Sequence, residues 1–283
     1  MYVAERLVFV ELHKTGGTHI GKWLAALAPG KQVGKHNRVP MALRDRFILG
    51  SVRNPWDWYV SLWGYGCDRK GAVYHTVTRG LDVGYLLRQL SDEMGVSGYP
   101  IAAMLRQAVA DVARPAAAWR SVYRDANDAG AFREWLHMMM EVERRFDVAE
   151  GFGFSPISNW AGILSYRYLK LFTTLDNRLY TDSTLGTPEG ARTALRATWL
   201  VRGIIRTEHL EEDLLDALSR AGYAPTEAQR EAVRAGRNAK TNTSGRRSSA
   251  YYYDDRTIAL VGQRESLIIA EHGYAPPVPA EGA

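Results

Sequence analysis

A lysine, two hydroxyls and two glycines stand together in Leu12-His13-Lys14-Thr15-Gly16-Gly17-Thr18-His19, directly behind the apolar run Leu7-Val8-Phe9-Val10. A strand-type run, a glycine turn and a helical pattern in that order make a phosphate-binding loop. Gly16 and Gly17 lack the Cβ that would keep an anion away from backbone N–H groups. Lys14 adds a mobile positive charge, Thr15 and Thr18 add hydroxyl donors, and Thr18 is placed to cap the helix that Ile20, Trp23, Leu24 and Leu27 define. A second constellation follows. Phe47-Ile48-Leu49-Gly50-Ser51-Val52 reads as a strand and runs into Arg53-Asn54-Pro55-Trp56-Asp57-Trp58-Tyr59-Val60-Ser61. Pro55 suits the first turn of a helix. Arg53 at the strand end and Ser61 two helical turns on can converge on one phosphate, as a fork donor and a hydroxyl donor. The chemistry expected is the holding of a nucleotide-type anion.

Lys14 precedes the glycines, whereas the Walker A pattern puts lysine after them. The order here resembles the 5′-phosphosulfate loop of the sulfotransferases that use 3′-phosphoadenylyl sulfate (PAPS), in particular the carbohydrate type, with His13 where that family usually has proline. Val52-Arg53-Asn54-Pro55 through Ser61 is similar to the segment that holds the 3′-phosphate there. Ile204-Ile205-Arg206-Thr207-Glu208-His209-Leu210-Glu211-Glu212-Asp213 resembles the family's strand followed by Glu-x-Leu-x-x-Asp. Asn242-Thr243-Ser244, then Tyr251-Tyr252-Tyr253, resembles the segment that closes over the nucleotide. The likeness runs from about Val8 to Tyr274 without covering the middle of the chain. It implies an enzyme that moves the sulfuryl group from PAPS to a hydroxyl acceptor, a glycan or a small molecule, and releases 3′,5′-phosphoadenosine (PAP), with no metal. Carried over residue by residue, the nucleotide site comprises Lys14, Thr15, Gly16, Gly17, Thr18, His19, Arg53 and Ser61, with Asn242, Ser244 and Arg246 from a polar loop that is either a linker or a lid.

Sulfuryl transfer also needs a base for the acceptor hydroxyl. Seven histidines compete. His36 is the choice, because it follows the short strand-like run Gln32-Val33-Gly34-Lys35, strand ends gather at the ligand crevice, and many family members carry a histidine there. The usual His-x-Thr is His36-Asn37-Arg38 in this chain. The alternative for His36 is a loop histidine that binds substrate or caps a turn, and Glu11 is a further candidate base. Lys35, Arg38 and Arg44, beside His36, are candidates for recognising a carboxylate or sulfate on the acceptor. Trp56, Trp58 and Tyr59 either stack on adenine or fill the core.

The elements that must position these groups follow from the patterning. The chain has 283 residues, 46% hydrophobic and 24% charged, with a formal charge of +5. That length can bury a full core, and the basic balance suits anionic ligands. No dense Lys/Arg stripe with interleaved aromatics points to nucleic acid. The alternation of strand and helix predicts an α/β fold of P-loop type: a central parallel sheet flanked by helices, in a single domain over 1–274. Strands are expected at about 6–12, 32–35, 47–52 and 201–207. Helices are expected at 18–28, 55–65, 83–90, 101–112, 132–142, 159–172, 186–199, 208–221 and 255–272. The segment 68–155 reads as a mainly helical insertion that sets acceptor specificity, and 275–283 as a disordered tail. The lone Cys67 excludes an internal disulfide and cysteine-rich metal sites, and suits a reducing compartment. With no apolar run of ~20 residues, a soluble cytoplasmic protein is expected. Two other readings stay open. A P-loop kinase would want a Mg²⁺ carboxylate at the strand end where Arg53 stands. A non-catalytic module would bind PAP or a glycan without turnover.

Overall fold

A computed structural model describes residues 1–80, 101–148, 151–236 and 247–278. The chain is α/β, 60% helical, with a five-stranded mixed sheet flanked by helices. The strands are β1 (Tyr2–Ala4), β2 (Leu7–Val10), β3 (Gly30–Gln32), β4 (Phe47–Val52) and β5 (Gly203–Arg206), in the order β3-β1-β2-β4-β5. The expected all-parallel sheet is corrected on one side. β2, β4 and β5 are parallel, but β1 pairs antiparallel with both β2 and β3. Tyr2-Val3-Ala4 folds back on β2 through the Glu5-Arg6 turn, with Val3 opposite Val8. Two reversals restore direction, so β3 runs the same way as β2. Its carboxyl end therefore lies at the same edge of the sheet. β3 also ends earlier than the strand expected over 32–35 and is exposed along its length.

Side chains on β2 and β4 alternate between two cores, as the period of a strand requires. Val8, Val10, Ile48 and Val52 enter one, with α2 (Pro55–Cys67) and the helices Ala129–Met140, Ile163–Phe172 and Asp255–Arg264. Leu7, Phe9 and Leu49 enter the other, with Ile20 and Leu24 of α1 (Gly17–Leu27) and Leu214 and Leu218 of the helix Leu210–Arg220. β2 is buried at every position, which explains its unbroken apolar run. Within the expected insertion, Ile101–Ala113, Ala116–Ser121 and Ala129–Met140 are helical, and Trp119, Phe132 and Trp135 join the α2-side core. The helix expected over 83–90 lies outside the described residues. A helix at Glu227–Ala235, opened by a Thr226/Gln229 capping box, was not anticipated.

The expected last helix is two, Asp255–Arg264 and Ser266–His272, broken at Glu265. The reason is a carboxyl turned wholly inward. Glu265 accepts from Tyr59 Oη, from Ser165 N (2.9 Å) and from Ser165 Oγ (2.6 Å). Ser165 N is one of the first N–H groups of Ile163–Phe172, and Gly162 at its start has no side chain to satisfy it. Glu265 thus caps that helix from a distance, and burial raises its pKa against those hydrogen bonds. Glu265→Ala leaves three buried donors unpaired, and a loss of about 3 kcal/mol is expected in denaturant unfolding. At the far end of the last helix, Tyr168 Oη and His272 Nε2 are 3.0 Å apart. Burial, with Arg206 adding to it, lowers the His272 pKa from 6.5 to about 4. A depressed histidine means the unfolded chain binds the extra proton, so this contribution is full above about pH 6.5 and lost as pH falls toward 4. His272→Gln should flatten the melting temperature over that window.

Candidate functional site

The carboxyl ends of β2 and β4 are adjacent, and the two sequence constellations meet there. The chain leaving β2 turns sharply: Lys14 has φ 61° and Gly16 φ 79°, both left-handed. Gly16, and not Thr18, is the N-cap of α1, which begins at Gly17. Thr18 is exposed in the first turn. Thr15 is buried, and its hydroxyl donates to Leu12 O at 2.7 Å. Its one proton is thereby used, so the 2.7 Å contact with Ser51 Oγ of β4 is a bond that Ser51 donates. Thr15 knits the loop to β4, and its hydroxyl is engaged within the protein. Trp58 Nε1 of α2 donates to His13 O at 2.6 Å, and Arg53 Nη1 reaches Lys14 O at 3.5 Å. Lys14 Nζ lies 3.8 Å over the Tyr65 ring, a cation–π contact that holds the ammonium beside α2. The His19 ring turns to α1 and its neighbour: it accepts from Trp23 Nε1 at 3.1 Å and lies 3.7 Å from Glu211.

Arg53 stands among Asp57, Glu208 and Tyr274. Burial lowers its pKa, with Asp57, Glu208 and Tyr274 acting against that. Glu208 Oε1 accepts from Asn54 N at 2.8 Å, and Thr207 Oγ1 donates to Val52 O at 2.8 Å. These bonds tie the end of β5 to the end of β4. Glu208 Oε2 and Tyr274 Oη are both buried; burial first, then the Glu208 charge and a hydrogen bond to its carboxylate, raise the Tyr274 pKa, and each residue stands in the electrostatic neighbourhood of Arg53. Glu208 was legible inside the Glu-x-Leu motif, and Tyr274 had no local signal. Asn54 caps α2 by accepting from Trp56 N (3.1 Å) and donates through Nδ2 to Ala275 O (2.9 Å). The first residue of the expected tail is therefore bound at the site's edge, and 279–283 lie outside the described residues.

Ser61 is buried two turns into α2, on the side where Asp57 hydrogen-bonds Ser249 Oγ. Tyr253 Oη donates to Trp56 O at 2.9 Å, so the chain returning at Arg247 rests on the start of α2. Asn242, Ser244 and Arg246 lie outside the described residues. Trp56, Trp58 and Tyr59 are core side chains, each 3% exposed or less. Burial, with Asp125, Asp68 and Asp128, pushes the Cys67 thiol up to about 12, which keeps it protonated and unreactive.

His36 follows β3 in left-handed backbone, φ 56°. Its Nδ1 bonds Glu11 O at 2.9 Å, and its ring stacks on His13 with centroids 3.5 Å apart and planes 14° off parallel. The chosen base and the Lys14 loop are thus in contact. Of the proposed acceptor groups, Lys35 is exposed. Arg44 Nη2 donates to both Asp176 oxygens, at 3.1 and 3.2 Å, and Arg38 Nη1 stands 3.7 Å from the same carboxylate. Asp176 compensates part of the charge these arginines could offer an anionic acceptor.

Among the described residues, no group of three or more His, Cys, Asp or Glu is arranged to hold a metal ion. No helix described is long and apolar enough to cross a membrane. Comparison of the chain with protein-family models, curated proteins and solved structures finds no match.

One steric condition is local to the loop. A Cβ on Gly17 would collide with the buried Glu11 side chain. Gly17→Ala is expected to cost about 1–3 kcal/mol in thermal unfolding by overpacking. Glu11→Ala in the same chain should recover most of it, because the colliding atoms are gone. Additive losses in the double variant would refute the contact.

Proposed function

We propose that the protein is a PAPS-dependent sulfotransferase on a P-loop-type α/β scaffold, acting on a hydroxyl of a glycan or small molecule. The observation that carries the reading is the junction of the two motifs: Arg53 at the end of β4 reaches the backbone of Lys14 at the end of β2. Two cationic side chains on neighbouring parallel strand ends suit a ligand with phosphates at both its 5′ and 3′ ends. The residues present fit that group. The Gly16–Thr18 amides open α1, where N–H groups and the helix dipole favour an anion. Lys14 neutralises charge on the departing 5′-phosphate, and Arg53 with Ser61 holds the 3′-phosphate.

In the transfer, the acceptor oxygen bonds to sulfur as the sulfur–oxygen bond to the 5′-phosphate breaks. The electron pair stays on that phosphate oxygen, beside Lys14. The acceptor proton passes to His36. As in phosphoryl transfer, positioning and fixed charge do most of the work. A single, protonated cysteine suits a reducing cytoplasmic setting for the enzyme.

Calorimetric titration with PAP, ADP and ATP·Mg²⁺ tests the reading. PAP should bind most tightly, and Arg53→Ala should weaken PAP by roughly 10- to 100-fold, the worth of a charge-assisted pair, while changing ADP little. Labelled PAPS offered with glycans, phenols and lipid-linked sugars should yield a sulfated product that Lys14→Ala, still folded, does not make. Preference for ATP·Mg²⁺ makes the protein a kinase instead. PAP binding with no product across the panel makes it a binding module.

A further inference from the structure

We propose that a cavity lined by Met140, Trp160, Leu260 and Arg264 binds a small organic carboxylate with an apolar body, at a site independent of the sulfotransferase reading. The cavity lies where three elements end: the helix Ala129–Met140, the 3₁₀ turn Pro156–Asn159 and the helix Asp255–Arg264. Its volume is about 560 Å³, within the roughly 300–1,000 Å³ range of small-molecule sites. It shares no lining residue with the Lys14–Arg53 edge. Met140, Trp160 and Leu260 give it apolar walls, and Asn159 and Gln263, both exposed, stand at its rim. Arg264 lines it too and is only 6% exposed. The break that turns Glu265 inward carries Arg264 with it. The Arg264 carbonyl accepts from Gly162 N at 2.8 Å, which pins the break to the start of the helix Ile163–Phe172.

The protein leaves this guanidinium under-used. Of its five N–H donors, Nη1 gives one to Asn159 O at 3.3 Å and Nη2 gives one to Ser158 O at 3.2 Å. Both bonds are long, and both acceptors are uncharged. Nε has no hydrogen-bond partner among the described residues. Among them no carboxylate forms an ion pair with Arg264 either: the neighbouring Glu265 spends its oxygens on Tyr59 and Ser165. Burial lowers the Arg264 pKa against the pull of Tyr59 and Glu265; Arg145 adds to the lowering, and the exposed Glu143 opposes it. A buried cation so incompletely balanced gains most from an anion that brings a charge-assisted hydrogen bond. One guanidinium matches one negative charge, as a carboxylate carries. A phosphate dianion would bring a second charge into apolar surroundings. The walls select the rest of the ligand, because an aromatic or alkyl body lying against Met140, Trp160 and Leu260 leaves water as it enters.

Calorimetric titration of the full chain, without nucleotide, tests the site. The probes are indole-3-acetate and octanoate, each against its neutral amide. At least one carboxylate should bind with a Kd at or below about 1 mM, and its amide roughly tenfold or more weakly. Gln263→Trp, on the exposed rim, should fill the mouth and abolish binding. Arg264→Met, which keeps an apolar stem, should bring the carboxylate down to the level of its amide. Melting curves check folding, and if Arg264→Met unfolds the chain, Gln263→Trp decides. No binding by either acid overturns the inference, as do equal affinities for acid and amide. A carboxylate that Gln263→Trp still binds as the wild type does, or that PAP displaces from that variant, sits elsewhere and overturns it too. None of these outcomes decides whether the protein binds PAP or transfers sulfate, which the titrations and labelled PAPS above test separately.

Discussion

The register in which β2 pairs with β4, from Leu7 opposite Phe47 to Val10 opposite Gly50, decides where every candidate donor group stands. Each strand then leaves the sheet within a residue or two of the other. The loop after β2 carries Lys14, and the first residue after β4 is Arg53. A slip of one residue would turn Val8 and Val10 from the α2-side core to the opposite one, which both cores forbid. The Thr15–Ser51 hydroxyl pair lies just past the last rung of that ladder and extends it in side chains. The loop is therefore not an appendage on a strand. It is stitched to the neighbouring strand by a buried bond whose partner is Ser51 of β4.

Charge at this edge is arranged to keep cations in place before any ligand arrives. Lys14 rests on the Tyr65 ring, and Arg53 is drawn among Asp57, Glu208 and Tyr274. Burying an arginine without compensation is costly, so the acidic groups are what let it remain at a strand end. A bound anion would compete with them for the guanidinium. Arg38 and Arg44 show the other outcome of the same physics. Both face Asp176, and Arg44 Nη2 donates to both oxygens of that carboxylate without any ligand.

The parts of the fold that sequence patterning made legible are those set by local rules. β4 runs from Phe47 to Val52 as its apolar run suggests, and α2 begins at Pro55 because Asn54 caps it and proline fits its first turn. The parts it hid depend on distant partners. Tyr2-Val3-Ala4 is too short to declare itself, and it is a strand because β2 and β3 lie on either side of it. Ser266 to His272 continues a helical pattern, yet Glu265 is withdrawn to cap a helix a hundred residues earlier in the chain. The same holds at the site. Lys14, Arg53 and their glycines announce themselves by type and spacing. The pairing of Arg44 with Asp176 spans 132 residues and has no local trace.

The unanticipated strand also explains why a histidine after an edge strand can meet the loop at all. With β1 reversed between them, β2 and β3 run in one direction, so both end at the edge where Met1 begins. The chain leaving β3 needs only Val33 to Lys35 to bring His36 back against Glu11 and His13. Left-handed backbone at Gly34 and His36 accomplishes the turn. A glycine at 34 carries that conformation without cost, whereas at 36 a side chain is required for the ring contact, and the contact itself must offset the backbone penalty. The sheet's one departure from parallel order is thus what delivers the imidazole to the cationic loop.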